Sequence, residues 1–443
     1  MKNYNLNLMK IILSIFCIIV LNTVKAQEAL SLEKTFSIAL KENIDIKIST
    51  NNREKAQNQA NMGNAGLLPK INLLGSGSYN EGESSIDFAT DNFPSVANAS
   101  SESSSINGAI EFSYNIFNGL GSINTYKKLN KESNLRSVEL QIKIEQILIK
   151  SAKQYYDIAF LQEQNAINQK LVEISLERYK RIKTQNEFGN ASKLDLLSSE
   201  IDLNSDSVNL INSSIELNNA KTILNQILNR DISTIFKVTP TFVLNKKLKY
   251  QELEDKVKNN NNNIILQQLR LEIAKSNKKI SNSNLMPRID FKGQYGYNKT
   301  ESTTSLIRDQ SNLGLTGYIN FSWNLFDGFT KKIISRNTKI EIENSSLELE
   351  AIRKEIEKDL NNTFNQYNES INLMEIENRN KETAEKFFSR AQEQFYQGQL
   401  SRNDFRLAQV DLSISQSRLN RSIYIAKITE LNLYRLSAQI IKE

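Results

Sequence analysis

The chain has 443 residues, a formal net charge of +6 and a mean hydropathy of −0.46. It contains no histidine, and its single cysteine, Cys17, lies near the amino terminus. This composition excludes imidazole catalysis, a disulfide within the chain and the usual zinc and copper sites, and we expect no metal and no cofactor. The modest charge gives no support to nucleic-acid binding, and no apolar run reaches the roughly 18 residues of a transmembrane helix. A position within a membrane would therefore require β-strands.

Residues 1–26 have the order of features of a secretory signal peptide. Lys2 and Lys10 flank a basic start, an apolar run occupies 11–21, and "VKA" at 24–26 offers a cleavage site. The apolar run is too short to span a bilayer. Removal of this segment takes away three lysines and leaves a net charge of +3, from +6 − 3.

The first repeat covers residues 27–235. Periodicity and turn signals predict four elements in it: a helix within 28–64, a β-hairpin over 70–117 with strands 70–80 and 105–117, a long helix over 120–188, and a helix over 190–230. A linker over 236–248, which contains Pro240, follows the repeat.

Residues 249–443 repeat this pattern. "LLPKINLLGSGSYN" (67–80) matches "LMPRIDFKGQYGYN" (285–298) at six of 14 positions, and "GAIEFSYNIFNG" (108–119) matches "GYINFSWNLFDG" (317–328) at an offset of 209. The same offset aligns "GNASKLDLLSSEIDL" (189–203) with "GQLSRNDFRLAQVDL" (398–412). Such self-similarity indicates a duplication. The predicted elements are a helix within 250–284, a hairpin over 288–326 with strands 288–298 and 312–326, a long helix over 329–397, and a helix over 399–441.

Glycine placement defines the long helices. Between Gly121 and Gly293 the only glycine is Gly189, and after Gly328 the only one is Gly398. These tracts also lack proline outside the linker region, so each long helix can extend about 100 Å at 1.5 Å per residue. Apolar residues recur in heptads, which is typical of coiled coils. Each long helix therefore reverses at one glycine, whose left-handed conformation carries no steric penalty. We assign no function to the asparagine-rich run 259–263.

The four strands alternate between apolar and polar side chains. One face carries residues such as Ile71, Leu73 and Phe321, and the other carries Asn72, Ser76 and similar residues. Aromatic residues gather near the strand ends, as at a membrane interface: Tyr79, Tyr114, Phe117, Tyr297, Trp323 and Phe326. This pattern predicts transmembrane strands with a wet lumen. Four strands cannot form a closed barrel, and lipid does not tolerate an open sheet edge, so several copies of the chain must join their strands. Two chains would give eight strands and three would give 12.

The duplicated strand motifs and the turn motifs "FGNASKLDLL" and "QGQLSRNDFR" resemble those of the TolC-like outer-membrane efflux protein family, from about residue 29 to the carboxyl terminus. The resemblance implies a homotrimer in outer-membrane lipid. Its 12-stranded β-barrel continues into a long periplasmic α-helical barrel. Such a channel is not an enzyme. It is the exit duct of a tripartite efflux pump or type I secretion system, and its partners are a periplasmic adaptor and an inner-membrane transporter of the RND, ABC or MFS type.

The resemblance also implies roles for the two turns. Phe188-Gly189-Asn190 and Gln397-Gly398-Gln399 match the tips that receive the adaptor. Asp195 and Asp404, six residues after each glycine, match acidic positions near the periplasmic constriction, so a trimer would place six carboxylates around a cation-favouring gate. The alternative for each aspartate is an ordinary charge at a helix start.

Other functions are open. A metal-extruding pump has no support in a chain without histidine and with few methionines. A periplasmic coiled-coil scaffold would account for the helices but not for the strands. A surface receptor or adhesin would use the polar, serine-rich loop 82–104, which is longer than its counterpart at 300–311.

Overall fold

The structure, a computed structural model, describes residues 28–90, 94–303 and 307–440. The predicted signal peptide and part of loop 82–104 lie outside the described residues. The helices are α1 (Leu32–Glu42), α2 (Ile44–Gln59), α3 (Gly121–Glu187), α4 (Lys193–Ile227), α5 (Tyr250–Asn260), α6 (Asn262–Ser283), α7 (Thr330–Tyr396) and α8 (Arg402–Leu436). The strands are β1 (Glu28–Leu30), β2 (Lys70–Ile86), β3 (Val96–Phe117), β4 (Phe236–Val238), β5 (Arg288–Ser302) and β6 (Asp309–Ser322). Within the described residues, no helix is both long and apolar enough to cross a membrane.

The duplication is preserved in the helices. Helices α3 and α7 each have 67 residues, and α4 and α8 each have 35. Helices α7 and α8 each begin 209 residues after their counterparts α3 and α4, at 330 against 121 and at 402 against 193. The predicted content of each chain, with long helices and two pairs of strands in tandem repeats, is confirmed.

The chain divides into two compact units. The sheet unit comprises residues 51–138 and 265–352, and the helical unit comprises the remaining described residues. In the sheet unit the strand order is β2-β3-β5-β6, and all neighbours are antiparallel. Among the described residues, the edge strands β2 and β6 each pair on one side only.

The register confirms the two predicted faces of the sheet. Ile71 lies opposite Phe112, Leu73 lies opposite Ile110, and the partner positions on β5 and β6 continue this apolar face. The strands differ in length from the prediction: β2 and β3 extend to 17 and 22 residues, whereas β6 ends at Ser322 and not at 326. Trp323 and Phe326 therefore follow the strand and do not belong to it.

The core of the helical unit lies between α1, α3, α4 and α8. Tyr155, Tyr156, Leu224 and Leu228 are buried in it. Strand β4, at the start of the predicted linker, pairs in parallel with β1. The linker is thereby fixed to the core.

One helix was predicted before each hairpin, and this prediction was wrong, because each segment is broken into two helices at a buried asparagine. Asn43 donates its side-chain amide to the carbonyl of Ile227, 2.7 Å away, and its own carbonyl accepts from the backbone of Ile46. Asn261 makes the same pair of contacts with Leu436 and Ile264. Each asparagine therefore caps the start of one helix and the end of another. Asn261 lies in the run to which the sequence assigned no function.

Candidate functional site: the two helix reversals

Both helix reversals are built on a left-handed glycine, as the sequence predicts. Gly189 and Gly398 have φ angles of +74° and +75°. In the first turn, Gly189 donates to the carbonyl of Asn186 and Asn190 donates to that of Gln185, at 3.0 and 2.7 Å. This is the Schellman arrangement, and the second turn repeats it. It satisfies carbonyls that would otherwise lack a donor at the end of the long helix.

The aspartates after the glycines are the third residues of the returning helices. The backbone N–H of Asp195 donates to the hydroxyl of Ser192, and that hydroxyl also lies 2.6 Å from the carboxylate. Asp404 has the same relation to Ser401. The hydrogen bond from Ser192, with the nearby Arg402, lowers the pKa of Asp195 below its ordinary value. Ser192 and Ser401 are therefore the N-caps of their helices, and the carboxylate of Asp195 completes a capping box with Ser192. The position of both carboxylates in a gate stays a prediction.

The surfaces of the two turns differ. Phe188 is 77% exposed and Leu194, on the first turn of α4, is equally open to solvent. Gln397 and Gln399 in the second turn are also exposed but polar. The first reversal therefore presents an apolar tip and the second a polar one, and their contact with an adaptor stays a prediction.

A buried ionic network joins the first repeat to the second close to these turns. The guanidinium of Arg406 on α8 donates both terminal nitrogens to the carboxylate of Asp206 on α4, at 2.6 and 2.7 Å. Asp206 is fully buried and also accepts from the hydroxyl of Ser175 on α3. Three helices are thereby joined at one carboxylate.

A second arginine extends the network toward the tip. Arg178, almost fully buried on α3, contacts Asp202 at 2.9 Å and the side-chain carbonyl of Gln409 at 3.1 Å. Burial lowers the pKa of Arg178 to about 10, and the attraction of Asp202 opposes this shift. The group therefore stays charged near neutral pH.

The first turn of α8 lies beside the first turns of α4. Arg402 donates to the hydroxyl of Ser198 and lies 3.6 Å from the carboxylate of Asp195. The start of α8 therefore lies next to Asp195. The sequence aligned the two turns with each other but predicted no contact between them. Sequence analysis missed this network because its contacts between the two repeats join residues that are 200 or more positions apart.

Aromatic packing fixes α7 to α8 near the second turn. The rings of Phe395 and Phe405 stack with centroids 4.5 Å apart, and the ring of Phe388 also stacks on Phe405, with centroids 5.8 Å apart. The guanidinium of Arg181, from the first repeat, lies over the ring of Tyr396 and donates to its backbone carbonyl. Aromatic stacking thus holds α7 against α8, and Arg181 links this pair of helices to the first repeat.

The predicted interface aromatics occur at two levels of the sheet. Tyr79 and Tyr297 lie toward the hairpin loops, and both are exposed. Tyr114 and Phe117 lie at the other end of β3, six and nine residues from Gly108, the partner of Tyr297. At 3.3 Å per residue the levels are about 20 to 30 Å apart along the strand. This separation fits the apolar band of a membrane-spanning sheet.

Trp323 and Phe326 come after β6 at the helix end of the sheet. The indole N–H of Trp323 donates to the carbonyl of Leu285 at 3.1 Å. Phe326 is exposed and packs edge-on against Phe329. Both rings therefore lie at the level of Tyr114 and Phe117, and the assignment of all six aromatics to a membrane interface stays a prediction. Among the described residues, no cluster of acidic side chains could hold a metal ion.

Comparisons with known proteins agree on one family. The model of the outer membrane efflux protein family matches residues 35–230 and 253–439. The fold is similar to that of the CmeC outer membrane channel of Campylobacter jejuni, with 13% identity and a TM-score of 0.79 over 92% of this chain and 86% of that one. It is also similar to the MtrE outer membrane channel of Neisseria gonorrhoeae, with 14% identity and a TM-score of 0.73 over 92% and 89% of the chains. A search of curated proteins found no match.

Proposed function

Because the chain belongs to the outer membrane efflux protein family, we propose that it is the exit duct of a tripartite efflux pump or of a type I secretion system. It lies in the outer membrane, and its helices extend into the periplasm. In the proposed system it receives small molecules or an exported protein from the periplasmic complex and releases them outside the cell.

The observation that carries this proposal is the sheet. One of its faces is apolar and exposed along all four strands, with Leu73 at 83% and Leu315 at 79% exposure. The other face holds mostly amides, hydroxyls and glycine, such as Asn107 and Thr316. Both edge strands have free backbone groups, which lipid does not tolerate. Three copies joined at these edges would form a closed barrel of 12 strands with lipid outside and water inside.

The helices support the same assembly. Helix α4 presents an exposed apolar stripe at intervals of seven residues, formed by Leu194, Ile201, Val208 and Ile215. A heptad stripe of this kind is typical of a helix that packs against another helix. A second copy of the chain would cover it, and three copies would close a ring.

In this assembly the two reversals would form the periplasmic mouth. Asp195 and Asp404 from three chains would supply six carboxylates near the opening, which would favour cations. The tips Phe188-Gly189-Asn190 and Gln397-Gly398-Gln399 would receive the adaptor, which would connect the channel to an inner-membrane transporter of the RND, ABC or MFS type. The apolar first tip and the polar second tip suit two different contacts with one adaptor.

The proposal is tested with the purified full-length protein in detergent and in planar lipid bilayers. We expect a trimer by light scattering and stepwise conductance after reconstitution. A monomer extracted without detergent from the periplasm, with no conductance, would instead indicate a coiled-coil scaffold.

A secondary role as a receptor is favoured by one observation. Strand β2 continues for seven residues beyond Tyr79, from 80 to 86, and carries Glu81 and Glu83 on the face that is apolar below them. The hairpin of β2 and β3 therefore extends past the apolar band as a polar arm. Phage or bacteriocin attachment to this arm is tested by deletion of 84–98, with conductance as the control.

A further inference from the structure

We propose that a basic cleft at the helix end of the sheet, formed by Lys70, Ser113 and Lys292, binds an oxyanion such as a phosphate, a sulfate or a carboxylate group. The cleft lies on the polar face of the sheet, which lines the lumen in the proposed channel. The inference deepens the proposed function, because it gives the exit duct a preference for cargo that carries such a group. This preference rests on the proposed function, whereas the binding site itself does not.

The polar face of the sheet carries charge at one end only. From the middle of the strands to the hairpin loops it presents uncharged side chains, mostly amides and hydroxyls such as Asn107 and Thr316. The charged side chains that the register assigns to this face lie in a belt about 20 Å long, between the levels of Arg288 and Gln294 on β5. The members of this charged belt are Lys70, Glu111, Arg288, Asp290 and Lys292.

Strand pairing places two lysines on either side of one serine. Ser113 on β3 lies opposite Lys70 on β2 and opposite Lys292 on β5. Directly paired residues share a face, and neighbouring strands are about 4.8 Å apart, so the Cα atoms of the two lysines are about 10 Å apart. Both ammonium groups can therefore reach one anion that lies over the hydroxyl of Ser113.

The same three side chains line a cavity of about 270 Å³. Asn115 and Asn118 also line it. One water molecule occupies about 30 Å³ of liquid, so the cavity has room for an oxyanion and several waters. Because Lys70 is exposed, a solute can enter without movement of the backbone.

One cation of the belt is neutralised within the chain. The carboxylate of Asp290 accepts from Nε of Arg288 and from the side-chain amide of Asn115, both at 2.7 Å. Each oxygen of this carboxylate thus has a donor. Asp290 therefore offsets chiefly the charge of Arg288 and leaves the two lysines to other partners.

The two lysines are less well paired. Glu111 lies 4.0 Å from the ammonium group of Lys292, at the limit of an ion pair. Among the described residues, no carboxylate forms an ion pair with Lys70. Three basic and two acidic side chains leave the belt a net charge of +1 per chain, from 3 − 2. An oxyanion over Ser113 would supply the missing negative charge and accept charge-assisted hydrogen bonds from both lysines.

The position of the cleft favours a dissolved ligand over a lipid headgroup. At the same level of the sheet, Ile71 and Phe112 lie opposite each other on the apolar face. That face contacts lipid in the proposed channel, so the cleft opens on the side away from the membrane. The anion is therefore a group on a solute that passes through the lumen.

Affinity labelling of the full-length protein in a neutral detergent tests the site. In pyridoxal 5′-phosphate, the phosphate should bind in the cleft while the aldehyde forms an imine with a nearby lysine and releases water. Borohydride reduces the imine to a stable amine, which peptide mass spectrometry locates. We expect Lys70 and Lys292 to be labelled faster than Lys55 on α2, which is also exposed and has no ion pair among the described residues.

Inorganic phosphate should protect both lysines of the cleft. At about ten times its dissociation constant, mass action predicts that labelling slows about tenfold. Labelling of Lys55 should change little. Sodium chloride of equal ionic strength is the control for screening, and equal protection by chloride would overturn the site.

Two variants should change the protection in opposite directions. Lys70→Gln removes one ammonium group and should abolish the protection of Lys292 by phosphate. Glu111→Gln removes the carboxylate that competes for Lys292, and it should lower the phosphate concentration for half-protection by about two- to fivefold, the range of an exposed ion pair. Full protection in Lys70→Gln, or weaker binding in Glu111→Gln, would contradict the assignment.

Lipid nanodiscs distinguish a solute from a headgroup. Without added phosphate, labelling of Lys70 and Lys292 should be equal in nanodiscs of neutral lipid and of phosphatidylglycerol. Protection by the acidic lipid would assign the cleft to a headgroup and overturn the solute assignment.

The outcomes also separate this inference from the proposed function, because labelling requires neither a trimer nor conductance. Conductance without protection by phosphate would leave the channel and remove the site, whereas protection in a protein that does not conduct would leave only the site. In planar bilayers at about 10 mM salt, where the Debye length is about 30 Å, Lys70→Gln should shift the reversal potential toward cation preference. An unchanged reversal potential would overturn the preference for anionic cargo.

Discussion

Substitution of Asp206 by asparagine tests the network that joins the two repeats. The change keeps the size of the side chain but removes the charge that faces Arg406. The wild-type carboxylate accepts two hydrogen bonds from this guanidinium and one from Ser175, and it is fully buried. An asparagine has one oxygen, so the guanidinium loses both an acceptor and its counter-charge.

The magnitude follows from the burial of the two partners. Removal of one member of a fully buried ion pair costs about 3–5 kcal/mol. The side chain of Arg406 is 21% exposed, so water can replace part of the lost interaction. We therefore expect a loss of about 2–3 kcal/mol in the free energy that holds α8 against α3 and α4. At 1.4 kcal/mol per factor of ten, local opening should become about 30- to 150-fold more frequent.

Amide hydrogen exchange of the detergent-solubilised protein, followed by mass spectrometry, measures this opening. Peptides from the first turns of α8 and from α3 around Ser175 should exchange faster, whereas peptides from the sheet should not change. The control is Glu375→Gln, since Glu375 pairs with Lys246 at 2.9 Å but both side chains are more than half exposed. This variant should match the wild type. Equal exchange in Asp206→Asn and in the control would refute the reasoning, because it would mean that Arg406 is hydrated at no cost.

Three further predictions concern the turn, the gate and a buried carboxylate. Gly189→Val should impair efflux in a complementation assay, because a β-branched residue is strained at a φ of +74°, whereas Gly75→Val should be tolerated; equal tolerance would contradict the tip assignment. The double variant Asp195→Asn with Asp404→Asn should lose cation preference in planar bilayers while the trimer persists; unchanged selectivity would mean that both aspartates only cap helices. Burial raises the pKa of Glu145 to about 7. Its folded-state pKa thus exceeds the unfolded value, so the stability that the protonated carboxyl contributes is lost as pH rises from about 4.5 to 7. The change in melting temperature from wild type to Glu145→Gln should therefore be more favourable at pH 8 than at pH 5. An identical change at both pH values would refute this.

The secondary structure could largely be predicted from the sequence. Glycine spacing predicted both reversals at Gly189 and Gly398, and period-two alternation predicted both faces of the sheet. These signals are local, because a helix or a half-exposed strand depends on residues within a few positions of each other. The duplication then doubled each signal, which is why one repeat supported the interpretation of the other.

Some features within single segments could not be predicted from these periodicities. Asn43 and Asn261 each interrupt a helix because their side-chain amides donate to carbonyls at the ends of α4 and α8, which are 184 and 175 residues away in sequence. The same asparagine without that carbonyl would remain an ordinary surface residue. Strand β4 also forms only because β1 lies beside it.

Sequence by itself therefore determined the repeats, the long helices, the reversals and the apolar face, since each is a periodic pattern along the chain. The tertiary structure alone decided which charges are paired. In the sequence, nothing distinguishes Arg178, Arg406 and Asp206 from other charged residues of the long helices. Only the packing of α3, α4 and α8 brings them together. The free energy of hydration of a charged side chain on an isolated helix does not depend on which helix later packs beside it. The partner of such a charge is therefore set by tertiary packing, here between residues about 200 positions apart, and not by the adjacent sequence.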